Sequence, residues 1–474
     1  MSAAAFRAWL IEGCEAGGRI AAWFAYAGGG SREMLAVLAM DDESLLEIAA
    51  VSVGDSFESI TPVCPQAQAF ERELHEQWGI EPRGHPWLKP LRFPRKAGAP
   101  EIGRADFYRI EGSEIHEVAV GPVHAGVIEP GHFRFQCHGE QVLHLEISLG
   151  YQHRGVERAL NATPPGSPRW LAVAETLAGD TTVGHAMAAC QLLEALSGRE
   201  PPGRAMALRG IALELERLAN HIGDLGALAN DVGFLPTASF CGRLRGDALN
   251  LTAELCGNRF GRGLVRPGGV AHDLDRELCD AMIARLDALE RDTNGACELL
   301  WTTPSAMARF EETGRLSREE GERLGLVGVA ARACGIGRDT RRNFPSGIHR
   351  FEQIPVCTWD SGDVFARAYL RAAEAKRSFA FLREQLNALP AGSPRIACPP
   401  PSAGMAAVSL IEGWRGEICH VGLVGEGGRL LGYKVVDPSF HNWLGLALAL
   451  RGEAISDFPL CNKSFNLSYC GHDL

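Results

Sequence analysis

The first hundred residues contain two short apolar runs separated by an acidic turn. Residues 34–40 and 45–53 have the length of strands, and three acidic residues at 41–43 stand between them. Short apolar runs bounded by turn residues indicate strands. We therefore predict a small α/β module over residues 1–100, which ends in the polar, Pro- and Gly-rich segment 94–100.

Two further regions show the patterns of strands. Apolar and polar residues alternate over residues 143–149, which indicates a half-buried strand. Residues 133–137 supply the predicted facing strand, and residues 138–141 supply the hairpin turn. Nearer the end of the chain, residues 418–424 and 430–436 form another predicted pair around a Gly-rich turn.

The middle of the chain has the periodicity of helices. Residues 211–225 carry apolar side chains at intervals of four and three, as in a helix packed in a bundle. A polar stripe lies about 100° around the same helix and consists of Glu214, Arg217, His221 and Asp224. This stripe is either a solvated edge or a polar interface with another subunit. We expect its side chains not to be wholly solvent-exposed.

A second long helix is predicted over residues 363–389, where Pro390 ends it. The pattern as a whole predicts an α+β fold. The small N-terminal α/β module is followed by a second domain over residues 110–474, with a central helical bundle flanked by β structure.

Composition restricts the class of protein. The chain has 474 residues, 46% of them apolar and 22% charged, as in a soluble globular protein of two or three domains. Its net charge of −11 disfavours nucleic acid as a partner, because nucleic-acid binding needs a basic face. We expect neither a membrane span nor a signal peptide, since no apolar stretch reaches ~20 residues and charges interrupt the apolar N-terminus. A role at a membrane would then require docking onto other subunits.

The fourteen cysteines are scattered singly, and no two of them form a C-x-x-C pair. Cysteine is often buried as a small apolar residue, and thiols stay reduced in the cytoplasm. We expect reduced, mostly buried thiols in a cytoplasmic protein.

Several segments resemble subunits of respiratory complex I. Residues 71–80 (ERELHEQWGI) and 84–86 (GHP) resemble the signature of its 30-kDa subunit, from which Gln77 departs. Residues 121–124 (GPVH) and 150–157 (GYQHRGVE) resemble its 49-kDa subunit and the related nickel–iron hydrogenase large subunits.

One segment resembles a narrower group within that family. Residues 125–135 (AGVIEPGHFRF) have the form found in the large subunit of the formate-hydrogenlyase and hydrogenase-4 group. Further similarity lies at residues 266–270 (RPGGV), 412–417 (EGWRGE) and 438–442 (PSFHN). This group fuses the two modules, so the resemblance implies a 30-kDa-like domain at 1–100 and a hydrogenase large-subunit-like domain at 110–474.

The resemblance also shows which chemistry is missing. A nickel–iron centre takes four thiolates from two C-x-x-C pairs, because soft thiolates both hold nickel and bridge to iron. The resemblance places Ala178 and Thr181 at the first pair, and Ser468 and Gly471 at the second. It therefore implies a form of the family without a nickel–iron centre and without hydrogenase activity.

The quinone contacts of complex I are replaced as well. The resemblance places Pro130 and Ala189 where a His and a Tyr meet the quinone headgroup, and neither side chain donates a hydrogen bond. Quinone remains an open alternative as a ligand, because the pocket can persist without these two contacts.

The residues around the lost ligands form the candidate site. Arg154 and Glu157 resemble the hydrogenase Arg-Gly-x-Glu segment, whose acid relays protons, and the alternative is a structural ion pair. His185 lies in the lost-ligand region, where we expect a polar or water-filled cavity; the alternative is a hydrogen-bonded core histidine. The predicted catalytic residues are His153, Arg154, Glu157, Asp180 and His185. The predicted cofactor-binding residues are His124, His132, Thr181, Arg415 and Asp437, and no metal ligand is predicted.

The resemblance implies a function in a larger assembly. The expected partners are a small iron–sulfur subunit like the 20-kDa subunit of complex I, a ferredoxin-like subunit and antiporter-like membrane subunits. The chain would lie on the cytoplasmic face of the inner membrane and take part in electron transfer from the partner's cluster, coupled to proton or ion translocation. The alternatives are a quinone-site subunit of NADH-quinone oxidoreductase type and a non-catalytic coupling scaffold.

Overall fold

The computed structural model describes residues 1–28, 30–94, 98, 100–124 and 128–474. Most of the predicted boundary segment (residues 95–97 and 99) and the first three residues of the hydrogenase-4-like segment (residues 125–127) lie outside the described residues.

The described residues form helices and several small sheets, as the α+β prediction requires. The helices are α1 Ala3–Glu15, α2 Gln68–Trp78, α3 Val156–Ala162, α4 Pro168–Ala174, α5 Thr182–Leu196, α6 Gly203–Asp231, α7 Leu235–Cys256, α8 Arg276–Trp301, α9 Pro304–Phe310, α10 Arg318–Leu324, α11 Gly328–Ala333, α12 Thr340–Asn343, α13 Val364–Asn387, α14 Pro438–Ala449, α15 Phe458–Phe465 and α16 Tyr469–Asp473. The strands are β1 Arg19–Gly28, β2 Ser31–Met40, β3 Leu45–Ser52, β4 Ser56–Glu58, β5 Glu81–Arg83, β6 Ile115–Val120, β7 His132–His138, β8 Gln141–Ser148, β9 Val265–Arg266, β10 Gly269–Val270, β11 Ala406–Glu412, β12 Glu417–Val424 and β13 Leu430–Val436.

The N-terminal sheet is an antiparallel meander in the order β1-β2-β3. Both predicted strands are confirmed, and the acidic turn between them is a short 3-10 helix, Asp41–Glu43. The apolar core under this sheet continues into the C-terminal sheet β11-β12-β13, whose Val421 and Leu423 belong to the same cluster. A buried ion pair between Arg19 and Glu417 also joins the two sheets. The division at residues 94–100 stays a prediction.

The predicted hairpin in the third sheet is confirmed. Strands β7 and β8 pair antiparallel, with Phe135 opposite Leu145, and β6 pairs with the other edge of β7. Phe133, Phe135 and Leu145 are buried, as the alternating pattern indicates. The predicted C-terminal pair is confirmed as β12 and β13.

The helical core is built around α6, which packs mainly against α7 and α13. The apolar positions of α6 are buried, and the second predicted helix is confirmed as α13. Asp363 caps α13, because its carboxylate accepts a hydrogen bond from the backbone N–H of Ala366 at 2.8 Å. The predicted α+β architecture is therefore confirmed.

The polar stripe of α6 is buried inside the chain itself. Its four side chains are at most 5% exposed, which confirms that they are not wholly in solvent. Both interpretations of the stripe were wrong, however, because its partners belong to this chain. Glu214 pairs with Arg341, and His221 contacts Glu374 of α13 at 3.0 Å. Charges this deep require such partners, since an isolated ion is costly to remove from water.

The cysteines are free thiols, and most of them are buried, as expected. Within the described residues, no helix is long and apolar enough to cross a membrane.

Candidate functional site

Asp180 and Arg415 form the centre of the site. Asp180 lies in the turn before α5, and both of its carboxylate oxygens accept hydrogen bonds from Arg415, at 2.6 and 2.7 Å. Thr181 donates to the same carboxylate at 3.1 Å. Burial raises the pKa of Asp180, but the Arg415 guanidinium outweighs that effect and holds the pKa below its ordinary value. The pair is therefore ionised at neutral pH.

The position of Arg415 depends on a tight turn between β11 and β12. The backbone N–H of Gly413 donates to the carbonyl of Gly416 at 2.8 Å, which closes the turn. Gly416 has φ +141°, and a Cβ atom there would lie 2.8 Å from the backbone of Gly328. Only glycine fits this close approach, which directs Arg415 toward Asp180.

The two segments that would carry the thiolate pairs meet at this site. Arg415, which binds Asp180 in the first segment, also donates to the backbone carbonyl of Asn466, just before the second segment. The Ser468 hydroxyl caps α16 by accepting a hydrogen bond from the backbone N–H of Gly471 at 2.9 Å. A Cβ atom on Gly471 would come within 2.6 Å of the Asp437 carboxylate. A cysteine at position 471 would therefore displace Asp437. The donor set here is an ion pair and hydroxyl groups with Cys470 as a single thiol beside Ser468, which does not supply the four thiolates of a nickel–iron centre.

A buried hydrogen-bonded chain runs from Asp437 through His185 and His420 to Tyr433. The distances are 3.1 Å from Asp437 Oδ2 to His185 Nε2, 3.2 Å from His185 Nδ1 to His420 Nε2, and 2.7 Å from His420 Nδ1 to the Tyr433 hydroxyl. All four side chains are at most 3% exposed. These hydrogen bonds join elements that are far apart in sequence, namely α5 and the strands β12 and β13.

Electrostatics orient the protons in this chain. Burial raises the pKa of Asp437, but the hydrogen bond from His185 outweighs it and holds the pKa below its ordinary value, so the carboxylate accepts. Burial holds the pKa of His420 well below its ordinary value, so its ring is neutral and carries one proton. Burial also raises the pKa of Tyr433 well above its ordinary value, so its hydroxyl stays protonated. Tyr433 therefore donates to His420, which donates to His185, which donates to Asp437.

Glu157 lies in a second polar region, next to the N-terminal module. Its partner is not Arg154, which donates instead to the carbonyls of Thr176 and Leu177 at 2.8 and 3.0 Å. Glu157 contacts Lys434 at 3.0 Å and Arg92 at 3.4 Å. Burial raises the pKa of Glu157, but these two cations outweigh it and hold the pKa below its ordinary value.

A cleft of about 360 Å³ connects the two regions. Glu157, His153 and Tyr433 all line it, together with Lys434. His153 is held in place by donating its Nδ1 proton to the carbonyl of Asp473 at 2.8 Å. The series of buried hydrogen bonds therefore begins at Asp437, on the Arg415 side of the molecule, and ends at Tyr433 in this cleft.

His124 and His132 lie in a third place. His132 Nδ1 donates to the carbonyl of Gly121 at 2.9 Å, and Arg134 donates to its Nε2 at 3.3 Å. His124 packs beside the same glycine and against the ring of Phe133, 6.2 Å between ring centroids. The structure thus brings together Asp180, Thr181, His185, Arg415 and Asp437 and places His153 and Glu157 at the cleft. Arg154 binds the carbonyls of Thr176 and Leu177 instead, and both remaining histidines lie near the start of β7.

Sequence reasoning missed three residues of the site. His420 and Tyr433 lie on the predicted strands β12 and β13. β12 is buried along its whole length and β13 is buried from Gly432 onward, so a polar side chain there is a signal that could have found them. Glu216 lies on a third face of α6, away from both the apolar positions and the polar stripe. It accepts hydrogen bonds from the backbone of Val183 and Gly184 at the start of α5, at 2.7 and 3.1 Å.

Glu216 is a buried acid whose pKa is raised strongly above its ordinary value. Burial raises its pKa to about 8, against the opposing effect of its two backbone hydrogen bonds. A small cavity of about 10 Å³, roughly the space that one water needs, lies between Glu216 and Asp180. A carboxyl group with this pKa is suited to taking up and releasing protons.

The position that corresponds to the quinone-binding tyrosine is closed. Ala189 is fully buried in the main core, together with Leu192 and the largely buried Met187. Ala189 and Leu192 are 0% exposed, so no solvent-accessible space reaches the Ala189 side chain.

Comparisons with known proteins agree with this architecture. Residues 231–405 match the family model of the 49-kDa subunit of respiratory-chain NADH dehydrogenase, and residues 29–103 match that of the 30-kDa subunit. The carbon monoxide-induced hydrogenase of Rhodospirillum rubrum is 31% identical over 352 residues, which cover 74% of this chain and 97% of that protein. From Escherichia coli, hydrogenase-4 component G is 28% identical and formate hydrogenlyase subunit 5 is 29% identical, each over 87% of this chain and about three quarters of the relative.

These matches define a large subunit of a complex I-type oxidoreductase complex. The chain belongs to the family that unites the 49-kDa subunit of respiratory NADH dehydrogenase with the large subunits of hydrogenase-4-type complexes, and it carries the 30-kDa region in the same chain. The resemblance seen in the sequence motifs is confirmed.

Proposed function

We propose that this chain is the proton-handling large subunit of a membrane-anchored, complex I-like complex, and that it binds no nickel and evolves no hydrogen. A partner small subunit would carry the iron–sulfur cluster that transfers electrons. A ferredoxin-like subunit and antiporter-like membrane subunits would complete the assembly on the cytoplasmic face of the inner membrane. The observation that carries the proposal is the continuous chain from Asp437 to Tyr433 beside the Asp180–Arg415 pair.

The arrangement of donors supports proton transfer through this chain. Every hydrogen bond in it points toward Asp437, so a proton entering at Tyr433 can be passed along by each ring nitrogen in turn. Histidine is suited to such a relay because it exchanges protons at either nitrogen. At the cleft, the carboxylate of Glu157 lies between Lys434 and Arg92, which lower its pKa and keep it ionised.

The ligand positions support the absence of nickel. The four matched positions hold Ala178, Thr181, Ser468 and Gly471, none of which supplies a thiolate. The space between these four positions is occupied by the Asp180–Arg415 pair and by Asp437. The closed core at Ala189 favours a coupling subunit over one that binds a quinone headgroup there.

Substitutions in the buried chain test the proposal in the purified, membrane-reconstituted complex. Tyr433→Phe and His420→Phe keep the aromatic rings but remove the proton carriers. We expect electron transfer to continue while ion translocation per electron falls at least fivefold. Tyr469→Phe is the matched control, because its hydroxyl makes only a 3.5 Å contact with Asn462. Unchanged ion translocation per electron in both Tyr433→Phe and His420→Phe would refute the proton route.

The nickel part of the proposal has its own test. Elemental analysis of the complex should find nickel far below one atom per chain, and hydrogen uptake should be absent. Near-equimolar nickel, or hydrogen uptake that is lost in Cys461→Ser or Cys470→Ser, would overturn it.

A further inference from the structure

A second cavity lies away from this site, on the opposite face of α5. It has a volume of about 280 Å³ and lies between α5, α6, β11 and the 3-10 helix Gly347–Arg350. Met187, Gln191 and Glu194 line it from α5. Residue 189 is turned about 200° from residue 187 on a helix, so this cavity is separate from the position that corresponds to the quinone site.

The walls of the cavity are mostly apolar. They include Met187, Met206, Leu213, Ile348 and Leu410. Apolar walls with a few polar groups are the usual composition of a small-molecule site.

The buried charged side chains that line the cavity already have partners; Arg199, Glu200 and Arg350 line it as well but are exposed to solvent. Arg209 holds Glu194 through two hydrogen bonds, at 2.6 and 2.9 Å. Arg341 is held by Asp339 at 2.6 Å and by Glu214 at 3.1 Å. A charged group placed among these buried side chains would have to break one of the pairs, which favours a ligand that is neutral inside the cavity.

His349 is the exception among the polar groups. Its side chain is only 7% exposed, and both of its ring nitrogens lack a hydrogen-bond partner among the described residues. One face of the ring packs near Phe381, with 5.7 Å between centroids. Burial and the nearby Arg341 lower the pKa of His349 to about 4, so the ring is neutral at pH 7 and offers one donor and one acceptor. Buried polar atoms without partners are rare.

We propose that this cavity binds a neutral, largely apolar aromatic molecule of bicyclic size through a phenol or carbonyl oxygen that hydrogen-bonds to His349. The volume is consistent with this size, because an apolar protein cavity of ~150 Å³ holds one benzene ring and this one, of about 280 Å³, is about twice as large. The apolar walls contact the rings, and the free imidazole nitrogens recognise the single polar group. This site is independent of the proposed proton route and of any metal.

Equilibrium dialysis of the purified complex with 2-naphthol tests the proposal. The control ligand is 2-methylnaphthalene, which has nearly the same shape but no hydrogen-bonding group. We expect one saturable 2-naphthol site per chain and binding of 2-methylnaphthalene weaker by about fivefold to tenfold, the usual effect of one neutral hydrogen bond.

Two variants locate the bound molecule. His349→Phe keeps the ring beside Phe381 and should reduce 2-naphthol affinity to that of 2-methylnaphthalene, whose own affinity should not change. Ala195 is exposed and lines the mouth of the cavity, so Ala195→Trp should block both ligands without disturbing the core, whereas Ala195→Ser should leave binding intact. No saturable binding, or binding that is unchanged in both His349→Phe and Ala195→Trp, would overturn the proposal.

Discussion

The guanidinium of Arg415 holds both carboxylate oxygens of Asp180, at 2.6 and 2.7 Å, although the two residues are 235 positions apart in the sequence. The pair lies where two segments without thiolates meet. Arg415 also donates a hydrogen bond to the backbone carbonyl of Asn466. The side-chain amide of Asn466 in turn donates a hydrogen bond to the carboxylate of Asp224. One ion pair thus joins the candidate site to the buried polar stripe of α6.

Removing one partner of this pair should destabilise the protein. We expect Arg415→Gln to lower the free energy of unfolding by about 1–3 kcal/mol, since it leaves the Asp180 carboxylate without its cation. The effect is smaller than for a fully buried pair because the Asp180 side chain is 35% exposed. Urea denaturation of the complex measures it. Arg154→Gln is the control and should change the value by no more than ~1 kcal/mol, because Arg154 is exposed and binds only carbonyls. Equal losses in both variants would contradict this account of the pair.

Glu374 is the carboxylate that the stripe depends on most. It contacts Arg332 and His221, at 2.9 and 3.0 Å, and lies 3.5 Å from Arg217. Glu374→Ala removes one counter-charge from Arg332 and from Arg217, which keep Glu412 and Glu214 as partners. It should cost about 1–3 kcal/mol in a urea titration. Glu384→Ala on the exposed side of the same helix should stay within about 0.5 kcal/mol. A loss below ~1 kcal/mol in Glu374→Ala would show that the network is not stabilising.

Glu216 should make the protein less stable as the pH rises. Its pKa is raised from 4.5 to about 8 in the folded chain. The unfolded chain therefore loses this proton near pH 4.5, whereas the folded chain keeps it up to about pH 8. The contribution of Glu216 is fully present below pH 4.5 and declines by roughly 1 kcal/mol per pH unit until about pH 8. Urea midpoints of Glu216→Gln should lack this decline; an identical pH profile in the variant would contradict the raised pKa.

Glu214, one half-turn away on α6, should act in the opposite direction. Burial raises its pKa, but Arg217 and Arg341 outweigh that effect and lower the pKa to about 2. Its contribution to stability is therefore present above pH 4.5 and is lost as the pH falls toward 2. Glu214→Gln should be less stable than the unmodified chain at pH 7, with the difference shrinking at pH 3. A difference independent of pH would mean that the charge of Glu214 does not matter.

The sequence by itself determined the local elements and the family. Alternation over residues 143–149 and the helical spacing over 211–225 specified β8 and α6, because side chains repeat every 2 residues in a strand and every 3.6 in a helix. Contiguous motifs such as residues 412–417 specified the family. The absence of C-x-x-C pairs was equally visible.

Only the tertiary structure decided which charges and rings meet. The sequence placed Arg154 beside Glu157, yet Lys434, 277 positions further along the chain, is the cation that Glu157 contacts at 3.0 Å. His185 is hydrogen-bonded to His420, which lies 235 positions further along the chain. The polar stripe contacts α13 rather than solvent or a second subunit. Periodicity reports which face of an element is buried, but a hydrogen bond depends on the position of two atoms to within a few tenths of an ångström. That precision comes from the packing of the whole core around α6, which no local pattern contains.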